Sequence, residues 1–328
     1  MRTVAAALLC TMLFSTIHAQ NDTTYYFSIE LGACDKEDAD WYRKVAKSTN
    51  KDGWYAYTEY RKDGTVDVKG YALNPNGAPP IGKSTEYYSD GITIEKEGTY
   101  KQALWNNKST IQDGTWMLYW ENGKKFAERE YRQDAGKKYA ENLLINHWDS
   151  LGVQRVTNGN GIYTNIFTKE HDPYTWYKLS GKVVNGQNEG TWTCTYSDGK
   201  PSYIETYKAG ELLKGTSYDK QGKKYKYTKI EEAPEFKGGE AALIKFLQVN
   251  ITYPAVDKDN DVQGKVLIRF VVGTDGGIEQ AKVVRSVSPT LDKEGLRVVN
   301  MLPKFTPGKQ RGQAVKVLYT LPLVFKLT

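Results

Sequence analysis

Histidine and cysteine are scarce, at 3 residues each in a chain of 328. That scarcity argues against chemistry built on histidine or cysteine clusters, and no HExxH, CxxC or GxSxG spacing occurs. A concentrated charge of one sign is also missing. Lys and Arg total 45 against 39 Asp and Glu, and a net charge of +6 spread along the chain is too mild for a phosphate-binding face. No nucleic-acid partner is expected. Beyond the first 20 residues, no run stays apolar for the ~20 residues that a membrane-spanning helix requires. What the chain has instead is 24 Tyr, 8 Trp and 30 Gly, a balance that favours many short aromatic strands separated by turns. With 39% hydrophobic and 26% charged residues it is expected to fold as a soluble globular protein. Its length exceeds the ~100–200 residues of one domain, so at least two are expected.

Residues 1–19 read as a signal peptide. Arg2 precedes an apolar run at 4–14, and Ile17 and Ala19 give an approximate small-residue cleavage pattern, which places the cut after Ala19. The other reading is an uncleaved leader that anchors the chain. Lipidation at Cys10 would leave a leader shorter than the ~15–30 residues of a working signal. Export permits a disulfide between Cys34 and Cys194, and the sequence leaves open whether the two side chains meet.

From 51 to 230 one phrase recurs: a glycine, two spaced aromatics, then a turn. Copies are Gly53-Trp54-Tyr55-Ala56-Tyr57 before Asp63-Gly64, Gly114-Thr115-Trp116 before Asn122-Gly123, and Gly190-Thr191-Trp192 before Asp198-Gly199. Asx-Gly pairs between alternating runs predict β-hairpins with type I′ turns, in which both central residues have positive φ. In the copy at Gly190, Trp192, Cys194 and Tyr196 share one face and Thr191, Thr193 and Thr195 the other. The aromatics are read as the repeat's core rather than as a ligand surface, because regular alternation is what burial demands. The segment resembles MORN-type repeats and related aromatic-Gly repeats of exported bacterial proteins, which form meandering sheets; residues 132–160 contain no clean copy. Residues 20–50 are read as an N-terminal cap, with a short helix over 35–47 that puts Trp41, Tyr42 and Val45 on one side.

The composition changes at Glu231-Glu232-Ala233-Pro234, the expected boundary of a module spanning 231–328. Leu243, Ile244 and Leu247 predict a helix, 265–272 a half-buried strand, and 278–287 its antiparallel partner across Asp275-Gly276. Ser288-Pro289 is a helix start, and 314–325 forms a last strand. The expectation is a small α+β unit, a three-stranded antiparallel sheet with two helices, following a mostly β repeat domain. The acidic run 257–261 is like the start of a calcium loop, but Val262 replaces the turn glycine and Ile268 stands where the bidentate Glu belongs. It is read as a solvated acidic loop, and no metal or cofactor is expected.

The string Pro234-Glu235-Phe236, Gly238-Gly239, Tyr253-Pro254, Gly264, Asp275-Gly276, Leu291-Asp292, Pro307-Gly308-Lys309, Gly312 and Tyr319…Leu321-Pro322…Phe325 resembles the C-terminal domain of TonB-family energy transducers. Phe305 stands where that family usually has Trp, and Gly295 where Ala is usual. The resemblance implies binding rather than catalysis. Family members work in the periplasm and grip an extended segment of an outer-membrane TonB-dependent receptor by strand addition. Carried to this chain, it implies an edge at Val315, Lys316, Val317, Leu318, Tyr319 and Thr320, flanked by Ile251, Thr252, Tyr253 and Pro254. The implied partner is such a receptor or another envelope protein, with a homodimer as a further option and membrane association only through partners or an uncleaved leader. The family's membrane helix and Pro-rich spacer are not seen: the 11 Pro are scattered, and the repeats occupy the spacer's place. The alternative is an envelope scaffold whose repeats bind the partner and whose C-terminal module docks or dimerises.

Overall fold

The computed structural model describes residues 23–28, 32–33, 36–104, 106–133, 140–169 and 172–327. The leader, Cys10, Cys34 and His171 lie outside the described residues.

The first part is a single antiparallel meander within a 17-stranded sheet. Strand Trp41–Thr49 pairs with Thr23–Ser28 on one side and Tyr55–Arg61 on the other. From there each strand pairs with the next in sequence as far as Lys224–Tyr227. The helix expected over 35–47 is not there. Only Lys36–Asp38 makes a helical turn, and the residues after it alternate as a strand, because Val45 must turn inward to bury against Tyr57 and Ala72. In the stretch without a clean copy the meander continues through strands Glu141–Trp148 and Gln154–Thr157. There Leu143, Leu144, His147 and Val156 supply the buried positions that aromatics fill elsewhere.

The repeated glycine and aromatic meet across strands. Gly181 lies directly opposite Trp192, and a Cβ at Gly181 would sit 2.1 Å from the indole. Gly98 gives Trp116 the same room, and Gly215 gives it to Tyr227. Each glycine lets the neighbouring ring lie flat on its backbone, so Trp116, Trp192 and Tyr227 are buried. Cys194 is fully buried in the cluster of Tyr177 and Tyr203.

The hairpins form, but at the Asx-Gly pairs the turn differs from expectation. At Asp63-Gly64 only the glycine has positive φ; the loop closes through Arg61 N–H to Thr65 O, and Asp63 Oδ1 accepts the Thr65 N–H. Asn122 and Asp198 make the same Asx bond. The side chain satisfies a backbone donor, which favours a three-residue loop over a two-residue one. Type I′ geometry is found instead at Asn158-Gly159, Asn185-Gly186 and Ala209-Gly210. These turns stack, with Gly186 N–H donating to Gly159 O and Gly210 N–H to Asn188 O.

The C-terminal module is the α+β unit expected. Gly264–Val272 is the central strand, with Ile278–Arg285 on one side and Val317–Phe325 on the other. Helix α1 (Gly239–Asn250), the short α2 (Ala255–Asp259) and α3 (Pro289–Asn300) accompany them. Ser288 caps α3 through Leu291 N–H at 3.1 Å, with Pro289 in the first turn. The acidic run is not a solvated loop throughout. Asp257 is buried and accepts the hydroxyls of Ser288 and Thr290, which ties α2 to the start of α3. Val266, Ile268, Phe270 and Val272 face the core with Leu321, Leu323 and Phe325. Gly295 lets α3 approach closely, since a Cβ there would lie 2.7 Å from Ile268 Cδ1. Phe305 fills its site against the rings of Phe236, Phe270 and Tyr319.

Replacing Gly181 with Ala should force the Trp192 ring off the backbone and cost about 1–3 kcal/mol in urea unfolding. Thr191→Ala, on the exposed face of the adjoining strand, should stay within about 0.5 kcal/mol. Equal effects of the two would contradict the packing described.

Candidate functional site

The three-stranded sheet has two outer edges, and they differ. Ile278–Arg285 meets the central strand through two register shifts, and Gln280 has positive φ. Bulges and charged residues such as Glu279, Lys282 and Arg285 are how an edge is kept from pairing further. Val317–Phe325 instead keeps unbroken register from Gly264↔Phe325 to Val272↔Val317. No second strand among the described residues pairs with its outer side.

Pro322 fixes the sense of that edge. A proline fits within a strand where its nitrogen faces away from the neighbour, so residues of the same parity aim their backbone N–H and C=O outward. These are Leu318, Thr320 and Val324. Their side chains stand on the sheet face opposite the core, where Leu318 and Val324 are 62% and 61% exposed.

That open face is basic as well as apolar. Arg269 lies opposite Lys282 on one side and Thr320 on the other, and Leu267 lies opposite Arg285 and Pro322. The Nε of Arg269 is buried without a hydrogen-bond partner. Lys316 reaches back to Glu279 at 2.6 Å.

The expected site residues fall in three places. Val317, Leu318, Tyr319 and Thr320 are on the edge strand, with Tyr319 turned inward to stack on Phe270. Val315 and Lys316 belong to the lead-in before the strand, and Val315 N–H donates to Gly308 O. Ile251, Thr252, Tyr253 and Pro254 form the joint between α1 and α2, at the far end of the strand: the Tyr253 ring packs edge-on against Phe325, five residues beyond Thr320. At ~3.3 Å per residue, this separates the two groups by about 16 Å along the strand. The joint is held from within the module. Tyr253 donates to Val262 O, Arg297 donates to Asn250 O, and Glu294 Oε1 accepts the Thr252 N–H. Sequence reading misses Leu318 and Val324 as a matched exposed pair and Arg269 as an unsatisfied group; the alternation of 317–325 around Pro322 carries the signal for the pair.

On the meander, an open hollow of about 780 Å³ is lined by residues that include Arg129, Glu141, Asn142, Gln187 and Trp192. Its polar groups bond each other, Arg129 to Asn142 and Gln187 to Glu141. Among the described residues no group of His, Cys, Asp and Glu could hold a metal ion, and no helix is long and apolar enough to cross a membrane.

Residues 249–327 match the family described as Gram-negative bacterial TonB protein C-terminal. The match takes in the central strand, α3, the regular edge and the 251–254 joint. No curated protein matches the chain. The C-terminal module is therefore of the TonB C-terminal type, which supports a TonB-like role in the cell envelope.

Hydrogen bonds from Arg297 hold the Glu294 carboxyl below its ordinary value of 4.5; burial opposes them, and the Thr252 N–H adds to them. The unfolded chain then takes up this proton before the folded one. The contribution of Glu294 is complete above the ordinary carboxylate range and is lost as pH falls through the depressed value. Exchange protection of the Thr252 amide should decline as pH drops below 4.5, and in Glu294→Gln it should become insensitive to pH. Constant protection in the unmodified protein would contradict this.

Proposed function

We propose that the chain is a non-enzymatic envelope protein, exported by its leader to the periplasm, that recognises an extended segment of an outer-membrane receptor in support of TonB-dependent transport. Recognition is by strand addition. The guest pairs antiparallel or parallel to Val317–Phe325 through the outward backbone groups of Leu318, Thr320 and Val324. The observation that carries this reading is the regular edge on which no second strand pairs among the described residues, within the region that matches the TonB C-terminal family.

The open face adds a preference. A guest strand beside Val317–Phe325 sends alternate side chains over the face that carries Arg269, Lys282 and Arg285. The buried Nε of Arg269, without an acceptor, favours a guest that brings a carboxylate or amide oxygen level with Thr320. The 251–254 joint bounds the groove at the Phe325 end rather than lining it along its length.

The envelope-scaffold reading draws on a different feature, the solvent-facing side chains Ile162, Ile166 and Leu151 of the meander, which are 53%, 57% and 79% exposed. The two readings separate in one experiment. Peptides covering the periplasmic N-terminal segments of outer-membrane receptors are titrated against the whole chain, with amide exchange followed residue by residue. Strand addition protects 317–325 and leaves the meander unchanged, while protection confined to 160–169 would favour the scaffold. Thr320→Pro removes one outward N–H and leaves the inner ladder intact, so it should weaken the bound peptide about 10-fold at unchanged thermal stability. Unaltered affinity would remove the edge from the reading.

A further inference from the structure

One contact joins the two parts of the molecule in a way that neither the repeats nor the family match explains. Lys309–Gln310 and Gln313–Ala314 form a small hairpin, and its tip, Arg311-Gly312, enters the end of the meander. Arg311 has φ +49, a backbone conformation uncommon for a residue with a long side chain. Its Nε donates to Glu205 Oε1 at 2.9 Å, across 106 residues of sequence. Its guanidinium lies over the ring of Tyr203 at 3.9 Å.

Glu205 belongs to the meander and is only 3% exposed. Two tyrosine hydroxyls of the meander already donate to it, Tyr227 at 2.7 Å and Tyr207 at 2.9 Å. Burial, with the neighbouring Glu205 carboxylate, pushes both hydroxyls up and keeps them protonated donors. Hydrogen bonds solvate the carboxylate but do not neutralise it. The balancing cation comes from the C-terminal module, and a buried charge deprived of its partner is strongly destabilising. The tip is also fixed by its backbone: Arg311 N–H donates to Ile230 O, and Arg311 O accepts the Ser217 hydroxyl at 2.7 Å. The position of Gly312 is equally confined, since a Cβ there would lie 3.0 Å from Lys226 O.

The hairpin ends three residues before the edge strand begins at Val317. We infer that Arg311, inserted against Glu205 among the meander's tyrosines, locks the meander and the C-terminal module into one rigid body, so that the meander serves as a stiff arm for the edge strand. A pull along Val317–Phe325 then passes through 309–316 into the meander instead of being absorbed by a flexible linker. That the edge takes a guest strand rests on the proposed function; the lock does not, and it is tested without any guest.

Spin labels are placed at the exposed positions Lys208→Cys and Lys293→Cys in the full chain carrying Cys10→Ser and Cys34→Ser, where the remaining Cys194 is buried, and their distance distribution is measured. The locked protein gives one narrow distribution and a single cooperative thermal transition. Arg311→Ala broadens the distribution about two-fold or more and splits the melt in two. Because Arg311→Ala also strands a buried carboxylate, Arg311→Ala with Glu205→Gln serves as the companion variant. It should regain much of the meander's stability and yet keep the broad distribution. A narrow distribution in the double variant would overturn the lock. Failure of both variants to fold would overturn it too, since the contact would then be a condition of the meander's folding rather than a tie between two folded bodies.

Discussion

A sheet of one layer has no second layer to bury its aromatics, and here the glycine-backed ring supplies what is missing. Where Gly181 faces Trp192, the absent Cβ is replaced by the flat of an indole, and the ring covers the backbone of the neighbouring strand. The indole N–H then finds Lys182 O, just as that of Trp116 finds Thr99 O, so burying the ring leaves no donor unsatisfied. Each hairpin thus completes its neighbour and is marginal alone. The stacked turns at Asn158-Gly159 and Asn185-Gly186 do for the backbone at one rim of the sheet what the rings do on its face.

Near each end of the meander an arginine pairs with a carboxylate over aromatic rings. Near the start, Arg43 bonds Glu59 through Nε at 2.8 Å and lies over the rings of Trp41 and Tyr57. Near the finish, Arg311 bonds Glu205 over Tyr203. The guanidinium suits both places because its plane can stack on a ring while its edge holds a carboxylate. The first pair is internal to the meander, whereas the second borrows its cation from the next module. The buried carboxylate near the end of the meander is thus balanced from outside it.

The parts of this architecture that are legible in sequence are those with a local rule. Alternation around Trp192, Cys194 and Tyr196 sets their face, Asx-Gly pairs mark the hairpins, and Ser288-Pro289 marks the start of α3. The segment 35–47 misleads because Trp41, Tyr42 and Val45 share one side at helical spacing; in the strand Tyr42 turns to the other face and stacks on Tyr60, and pairing with Thr23–Ser28 and Tyr55–Arg61 decides the outcome. Asp257 looks solvated in sequence because its partners, Ser288 and Thr290, lie some thirty residues away. Arg311 is silent for the same reason: nothing near Gln310 or Gly312 shows that a carboxylate waits at 205. The edge strand is found through the family resemblance, and its direction of pairing through Pro322. What relates it to 251–254 is register, which only the assembled sheet provides.

The two edges of the C-terminal sheet differ in how far they remain open to pairing. The bulges and charges of Ile278–Arg285 spoil that side as a template. On the other side Pro322 interrupts the outward row of donors without disturbing the inner ladder. That leaves pairing strongest over Leu318 and Thr320, the end nearest the hairpin that grips the meander. Of the two edges, then, one is regular in register and the other is broken by bulges, and only the regular one is suited to further pairing.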